Sequence, residues 1–442
     1  MSHSFNINPD IAKAETLPSI FYKNQDIFDE VKEKIFLKSW QWLGDNSGLK
    51  LTNSIQPLTL LDGFLSEPIL LTRDSDGEVN CMSNVCTHRG HILALGADKA
   101  KRIRCAYHGR TFDLKGNFKS MPEFSSTEDF PRDCDNLYKF PLYEWGPFLF
   151  AGLNPSFDFD EVISPIKERI GFLPLDQYSF DSSMSKDYLV QAHWALYCDN
   201  YLEGFHIPFV HDDLNTVLDA KNYDVETFLY SSLQIGIADD NEICFDLPID
   251  SKDYGKQIAA FYFWLFPNLM LNFYPWGLSI NIITPISVNE TKIEFKSYVW
   301  DEKKLNIGAG ANLDKVEMED EEVVQNVQKG VVSRYYKYGR FSPAMEQGVH
   351  HFHRLISQFI IISLLIYFVF EINIDNIWFY FYLLFLIVFL NFYNFMDGVN
   401  GYVSSNIITI IISYSLFFYI KDFYYNIFHI IILLPIIVFF IF

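Results

Sequence analysis

Positive charge is scarce in this 442-residue sequence, which has 34 Lys and Arg against 55 Asp and Glu and a formal net charge of -21. Such a surface would repel a phosphate backbone, so we expect no nucleic-acid partner. Cysteine is also scarce, since six in so long a chain do not form a disulfide framework. Residues 1–25 lack the basic and apolar regions of a signal peptide. These absences predict a cytoplasmic protein whose thiols are free to bind metal.

Charge almost disappears after residue 355, because residues 356–442 hold 16 Phe and only five charged side chains. The four most apolar stretches, at 357–370, 377–392, 406–420 and 427–442, approach the roughly 20 residues that span a bilayer. We therefore predict a hydrophobic tail of three to four transmembrane helices, which could anchor an otherwise cytoplasmic protein.

The remaining sequence divides into three predicted parts. Residues 1–39 form an N-terminal helical segment. Residues 40–155 contain short apolar runs separated by turn signals at Asp76-Gly77, Lys115-Gly116 and Trp145-Gly146-Pro147, which predicts a small antiparallel β domain. Residues 156–355 mix helical stretches at 194–204 and 314–330 with strand-like runs at 259–276, 278–287 and 291–300. The predicted class is therefore α+β.

Two Cys-His pairs lie inside the predicted β domain. Cys86 and His88 are two residues apart, and Cys105 and His108 are three apart, each pair at an expected hairpin tip with a glycine just beyond it. Thiolate and imidazole ligands exclude calcium and magnesium, and they leave zinc or an iron–sulfur centre. Cys81 falls outside the pattern and is predicted to be buried.

The stretch "NVCTHRGHILALG…IRCAYHGRTFDLKG" resembles the Rieske domain of bacterial ring-hydroxylating and related oxygenases. The resemblance implies a [2Fe-2S] cluster with two Cys ligands on one iron and two His ligands on the other, which raises its reduction potential. This sequence departs from the family at Arg110, where the family often has tryptophan.

A second metal site is predicted within "QAHWALYCDNYLEGFHIPFVHD", residues 191–212. If the part before Pro208 is helical, Leu196, Asp199, Glu203 and His206 share one face, and Ile207-Pro208 ends the helix. His211 follows after the bend, so the two histidines can hold a metal facially. The segment resembles the iron-binding stretch N-x-x-E/D-x-x-H-x4-H of Rieske non-haem oxygenases, matched here by Asn200, Glu203, His206 and His211.

The third iron ligand is sought in the acidic run "DKVEMEDEEVVQNVQKG". Helical winding puts Asp320 at the centre of a stripe of valines, at positions 316, 323, 324 and 327. Glu319 and Glu322 are predicted to point away, and Glu317 and Glu321 lie at the margin. An acid facing inward must be paired or metal-bound, so Asp320 is the predicted ligand. The family comparison agrees, since its ligand Asp precedes a "VQ-x-G" helix end.

The resemblance extends over about residues 15–355 and implies an oxygenase alpha subunit with a helix-grip catalytic domain. It also implies O2 as oxidant and a separate NAD(P)H-fed flavin and iron–sulfur reductase, since no G-x-G-x-x-G follows a strand here. In this family a carboxylate at the position of Glu203 links the Rieske histidine of one subunit, here His108, to the iron ligand of the next, here His206. A homotrimeric ring is therefore expected.

The substrate class remains open between two readings. Aromatic rings at 261–276 suit a planar aromatic compound, as in ring-hydroxylating dioxygenases, and equally a quaternary ammonium through cation–π attraction. The segment from Val327 to Leu355 resembles choline- and glycine-betaine-type oxygenases, which favours hydroxylation, with or without N-demethylation, of a choline, betaine or carnitine type of amine. A membrane-bound Rieske electron carrier with no oxygenase site, or a sugar-phosphate transferase fusion, is a further alternative. Such a carrier would hold two irons per chain instead of three.

The stretch "NFYNFMDGVNGY" in the tail resembles a motif of polyprenyl-phosphate sugar-1-phosphate transferases. In that family Asp397 and Asn400 would lie in the active-site loop. The family's earlier acidic motif is missing, so we expect no transferase activity. A membrane anchor, a gene fusion and a reading error are the alternatives that the sequence leaves open for the tail.

Overall fold

Short antiparallel strands dominate the first third of the chain in the computed structural model, which describes residues 5–211, 224–238, 242–311 and 313–371, with side chains as far as residue 360. Helix α1, Gln25–Lys34, precedes them and is capped by Asn24, whose side chain accepts the backbone N–H of Ile27. An N-cap of this kind satisfies a helix-end donor that would otherwise have no partner.

The β domain consists of ten strands in three small antiparallel sheets. One sheet has the order β1-β10-β9, the second β4-β3-β2-β5 and the third β6-β7-β8. The strands are β1 Trp40–Asp45, β2 Ser54–Leu60, β3 Glu67–Arg73, β4 Val79–Ser83, β5 Asp98–Lys99, β6 Ile103–Arg104, β7 Thr111–Phe112, β8 Phe118–Ser120, β9 Leu142–Trp145 and β10 Phe148–Gly152.

The three predicted turns of this domain are confirmed. Gly77 connects β3 to β4, Gly116 connects β7 to β8, and Gly146 connects β9 to β10. All three have positive φ, between +54° and +90°, which glycine adopts without steric cost.

A seven-stranded antiparallel sheet forms the centre of the second half, in the order β11-β17-β16-β15-β14-β13-β12. Its strands are β11 Ser179–Val190, β12 Asp224–Thr227, β13 Ser231–Ile237, β14 Ile258–Leu265, β15 Leu269–Tyr274, β16 Gly277–Ser287 and β17 Glu290–Val299. The central strands β15 and β16 are buried almost throughout, whereas β17 alternates between buried and partly exposed residues. Alternation of this kind places one face of a strand on the core.

Helices accompany this sheet: α2 Phe159–Ile170, α3 Trp194–Tyr201, α4 Ile207–Val210, α5 Leu313–Val331 and α6 Gln347–Glu371. Helix α3 packs against α5 and β16. The α+β class is therefore confirmed.

The predicted helix at 194–204 is shorter than expected. Helix α3 ends at Tyr201, and Pro208 lies in the first turn of α4 and does not end a helix, so that prediction was wrong. Proline is tolerated in a first turn because its missing N–H has no helical acceptor there.

One compact unit covers Met1–Ile360. Its boundary lies a few residues beyond the composition change at residue 355, and α6 runs through that change. In the described ranges no helix combines the length and apolar character needed to cross a membrane. The predicted tail beyond Glu371, including Asp397 and Asn400, lies outside the described residues.

Candidate functional site

Two loops of the same geometry bring the Cys-His pairs together. In the first, the backbone N–H of Cys86 donates to the carbonyl of His91, and Gly90 N–H donates to Cys86. In the second, Cys105 N–H donates to Arg110 and Gly109 N–H donates to Cys105. Both glycines have positive φ, +72° and +75°, which lets each loop turn tightly behind its ligands.

The side chains of these loops converge in matching pairs. The thiols of Cys86 and Cys105 are buried neighbours, and burial is the main reason that the pKa of Cys86 is raised. The ring centroids of His88 and His108 are 4.8 Å apart, and His108 is exposed. The two thiols thus lie inside and the two imidazoles toward the surface.

This donor set suits a cluster of two irons better than one zinc ion. Among the described residues, the only ligand atoms of three or more such side chains close enough together for a single ion belong to His206, His211 and Asp320. The Cys-His side chains therefore do not surround one ion position. A pair of thiols beside a pair of imidazoles fits the two irons of a Rieske cluster.

His206, His211 and Asp320 converge on the second site. The Nε2 atoms of the two histidines are 3.2 Å apart, and Asp320 Oδ1 is 3.0 Å from His211 Nε2 and 3.4 Å from His206 Nε2. Two imidazoles and one carboxylate on one side of a metal form the arrangement typical of non-haem Fe(II) oxygenases.

Each histidine of this group is oriented by a carboxylate on its other nitrogen. Glu203 Oε1 is 2.8 Å from His206 Nδ1 and its Oε2 accepts the His206 backbone N–H, while Glu319 Oε2 is 2.8 Å from His211 Nδ1. Such partners fix the ring tautomer so that Nε2 faces the metal. The prediction that Glu319 points away was wrong.

The electrostatics of the group favour a cation. Burial alone would lower the pKa of His206, but Asp320 and Glu203 outweigh it and raise the pKa to about 9. Burial would raise the pKa of Asp320, but the two histidines hold it below its usual value. The side chains thus stabilise positive charge at their centre, which is what a metal-binding group of this composition should do.

Helix α5 presents a different stripe from the predicted one. Asp320 faces inward as predicted, but the buried positions further along are Val324, Gln328 and Val331, and Val327 is exposed. The predicted stripe was therefore wrong by about one residue at its C-terminal end. The buried Gln328 side chain is satisfied by a hydrogen bond, since its Oε1 accepts the backbone N–H of His193.

A cavity adjoins the convergent side chains of His206, His211 and Asp320. Four tyrosines, Tyr197, Tyr201, Tyr262 and Tyr274, line it together with Glu317. It is also lined by Asn200, by Glu203 and by the three convergent side chains. No Lys or Arg is among its described lining residues.

Glu317 was predicted to lie at the margin of its helix, and it is instead a polar group of this cavity. Its carboxylate accepts the Tyr197 hydroxyl and is close to Asn281. Burial, and next the charge of Asp320, raise the pKa of Glu317 to about 8. The spacing of three residues between Glu317 and Asp320 was the sequence signal, because residues three apart share a helix face.

Family models match two parts of the chain. The Rieske [2Fe-2S] domain matches residues 39–131, which contain all four Cys and His residues of the first site. The ring hydroxylating alpha subunit (catalytic domain) matches residues 175–360, which contain His206, His211 and Asp320.

Similar proteins include the chloroplastic choline monooxygenase of Beta vulgaris, 28% identical over 365 residues, or 79% of this chain and 78% of that protein. The carnitine monooxygenase oxygenase subunit of Escherichia coli (strain K12) is 28% identical over 372 residues, 81% of this chain and 96% of that protein. A solved quaternary ammonium Rieske monooxygenase has a TM-score of 0.65 at 23% identity, covering 81% of this chain and all of that one. Naphthalene 1,2-dioxygenase from Rhodococcus sp. has a TM-score of 0.60 at 15% identity, covering 78% and 93%.

Proposed function

Since the chain belongs to the Rieske non-haem iron oxygenases, we propose that it hydroxylates a quaternary ammonium compound, using O2 and electrons from a separate NAD(P)H-dependent reductase. One oxygen atom enters the substrate and the other leaves as water, with two electrons and two protons completing the balance. The hydroxylated product either persists or loses its oxidised N-methyl group.

The observation that carries the substrate class is the cavity beside His206, His211 and Asp320. Tyrosine rings attract a quaternary ammonium through the negative face of the π system, at about 0.5–2 kcal/mol for each contact. Glu317 adds a carboxyl group, and the absence of Lys and Arg from the described lining leaves no partner there for an anionic substrate. A cation without a carboxylate, of the choline type, therefore suits the cavity better than an aromatic acid.

Each residue of the site has a proposed role. Cys86, His88, Cys105 and His108 hold the cluster, and His206, His211 and Asp320 hold the mononuclear iron. When bound, that iron supplies open coordination positions for O2. Glu203 and Glu319 keep the histidines in the tautomer that binds metal. Asn200 lies in the cavity wall, where its side chain can contact the substrate.

The electron path and the assembly are also proposals. His108 is exposed, and Glu203 lies between α3 and α4, in a segment whose Phe205 is 45% exposed, next to Phe209 of α4, which is 78% exposed. Both ends of the proposed link therefore reach the surface of a subunit. We infer that Glu203 connects His108 of a neighbouring subunit to His206 within a homotrimer. The solved quaternary ammonium monooxygenase is itself described in terms of inter-subunit electron transfer.

The test is a single-turnover experiment on the chemically reduced full chain, which needs no reductase. Choline, carnitine and 3,3-dimethylbutan-1-ol, the uncharged carbon analogue of choline, are each exposed to the reduced protein and O2, and the products are identified by mass spectrometry. We expect choline to be oxidised and the analogue to react at least tenfold less. Equal turnover of the two would contradict the quaternary ammonium proposal.

Two variants sharpen this test. Because burial raises the pKa of Glu317 to about 8, Glu317→Gln should weaken choline binding about tenfold at about pH 9, where the wild-type carboxylate is ionised, and leave the uncharged analogue unaffected. Glu322→Gln is the matched control, since Glu322 is an exposed residue of the same helix. A diol or phenol from an added aromatic compound would instead indicate a ring hydroxylase.

A further inference from the structure

Arg110 is a buried cation in the second cluster loop, two residues after His108, and its side chain is only 2% exposed. Arginine is almost never buried unless it is paired, because a charge in the protein interior loses its hydration. The proposed function gives this side chain no role.

The partner of Arg110 is Asp135, in the short helical turn Asp133–Asp135. Arg110 Nη2 donates to Asp135 Oδ1 at 2.6 Å and approaches its backbone carbonyl at 3.4 Å. The same carbonyl accepts the hydroxyl of Thr87, between Cys86 and His88, at 2.8 Å. Asp135 thus connects the two cluster loops, because it contacts Thr87 of the first loop and Arg110 of the second.

The surroundings of this ion pair are aromatic. The guanidinium carbon of Arg110 lies 5.9 Å, 5.1 Å and 5.4 Å from the ring centroids of Phe112, Phe118 and Phe130. The Nε atom of Arg110 is buried and has no hydrogen-bond partner among the described residues. Rings that exclude water leave a charge poorly screened, so its field extends further than that of a surface arginine.

The charge is held next to ligands of both loops. The backbone N–H of Cys105 donates to the backbone carbonyl of Arg110 at 2.8 Å, and Arg110 lies two residues after His108. Through Asp135 and Thr87 the guanidinium is also connected to the segment between Cys86 and His88.

We propose that Arg110 is a fixed positive charge that raises the reduction potential of the Rieske cluster, with Asp135 as a partly compensating negative charge. Reduction adds one electron, and hence one unit of negative charge, to the cluster. A nearby cation stabilises the reduced form more than the oxidised form. The side chain therefore tunes the cluster through space and touches neither substrate nor O2.

The test is a redox titration of the full chain with its cluster, followed by visible absorption and electron paramagnetic resonance at constant pH, without substrate or reductase. Arg110→Met should lower the midpoint potential by a tenfold change in the one-electron equilibrium, about 59 mV. Arg110→Lys keeps the charge and should stay near the wild-type value. Asp135→Asn removes the opposing charge and should raise the potential.

The opposite signs of the Arg110→Met and Asp135→Asn shifts separate tuning by charge from a structural role. If breaking the ion pair merely loosened the loops, both variants would shift the potential in the same direction, and the proposal would be overturned. If Arg110→Met fails to hold a cluster, Asp135→Asn decides alone: a raised potential supports the proposal, and an unchanged or lowered one rejects it.

Exposed neighbours supply matched controls. Arg89 and Asp133 lie on the surface beside His88 and Asp135, so Arg89→Met and Asp133→Asn make the same charge changes in water. Their shifts should be smaller and should vanish at high salt, whereas those of Arg110 and Asp135 should persist. The measurement requires only the cluster, so its failure is distinguishable from failure of the proposed substrate class.

Discussion

At the scale of single residues, the three convergent ligands of the second site make a direct prediction. His206→Ala or Asp320→Ala should empty the mononuclear iron site, because removal of one ligand from three leaves too few to hold the ion. Iron analysis should fall from three to two per chain, while acid-labile sulfide and the visible colour of the cluster stay unchanged. Glu322→Gln, on the exposed side of α5, should retain all three irons. Loss of cluster colour in either alanine variant would show that the ligand assignment is wrong.

His193 gives a second prediction, on acid stability. Its ring is fully buried, caps α3 by accepting the backbone N–H of Ala195, and has no partner for its Nε2 atom among the described residues. Burial lowers its pKa from 6.5 to about 3. The unfolded chain therefore binds a proton that the folded chain does not as the pH falls from 6.5 toward 3, and stability is lost over that window.

His193→Asn should reduce the loss of stability between pH 6.5 and pH 3, since asparagine keeps an N-cap oxygen and carries no titrating group. The contribution of one histidine is at most about 1.4 kcal/mol per pH unit. Urea unfolding gives the free energy of unfolding of wild type and variant at pH 7 and at pH 5. The loss between the two pH values in the wild type, minus the loss in the variant, is the contribution of His193. Some acid sensitivity should remain through His351, whose pKa burial lowers to about 4. Identical slopes in the two proteins would contradict the assignment.

Residue chemistry also decides how much of the site the sequence could reveal. His206, His211 and Asp320 were found because a metal demands particular ligands at particular spacings. Glu319 was missed because a helical wheel records only the direction of Cβ, whereas the long glutamate side chain reaches round the helix to His211 Nδ1. Of the cavity tyrosines, Tyr262 and Tyr274 belong to the aromatic run at 261–276 that the sequence singled out. Tyr197 and Tyr201 were missed because they come from α3, a distant element, and no periodicity relates them to that run.

At the scale of elements, local signals succeeded where local chemistry determines the backbone. Glycine turns and alternating strands follow from φ preferences and from the pleat, so β7–β8, β9–β10 and β17 appeared as predicted. The prediction that one helix continues to Ile207-Pro208 was wrong, because α3 ends at Tyr201 and Pro208 occupies the first turn of α4. Proline is accepted both after a helix and within a first turn, so its presence alone does not distinguish the two.

Helix α6 supplies the prediction that belongs to this scale. Composition places a boundary after Leu355, yet Ile356 and Ile360 are fully buried and the Phe359 ring contacts Phe157 and Phe266. A chain ending at Leu355 should therefore unfold at a lower temperature than one ending at Glu371, since each fully buried isoleucine contributes about 1.5–3 kcal/mol. Calorimetry of the two chains measures the difference.

The control for this comparison is Ile356→Ala with Ile360→Ala in the chain that ends at Glu371. If the apolar contacts of α6 are the cause, this double variant should reproduce most of the loss, because each truncation leaves a cavity in the core. Equal unfolding temperatures for all three chains would show that the helix beyond Leu355 adds no stability to the compact unit.

At the scale of the whole molecule, the two redox sites must exchange electrons, and the proposed route crosses between subunits. His108→Ala should disable the cluster of its own chain, and Glu203→Gln should keep both metals but interrupt the link to His206. Each variant alone should be inactive. In a mixed ring, the intact cluster of a Glu203→Gln subunit would face the intact Glu203 of a His108→Ala subunit, and that interface should work.

Coexpression with two affinity tags yields mixed rings, and sedimentation checks that they are trimers. Purification through both tags removes the homogeneous rings, and each remaining trimer has one productive interface in three, so about a third of wild-type turnover is expected with chemically supplied electrons. Each variant assembled with itself, under both tags, is the control. A route within one subunit would leave every mixture inactive, because each chain then carries one defect on its own path. Recovery of activity therefore requires that electrons pass from one subunit to the next.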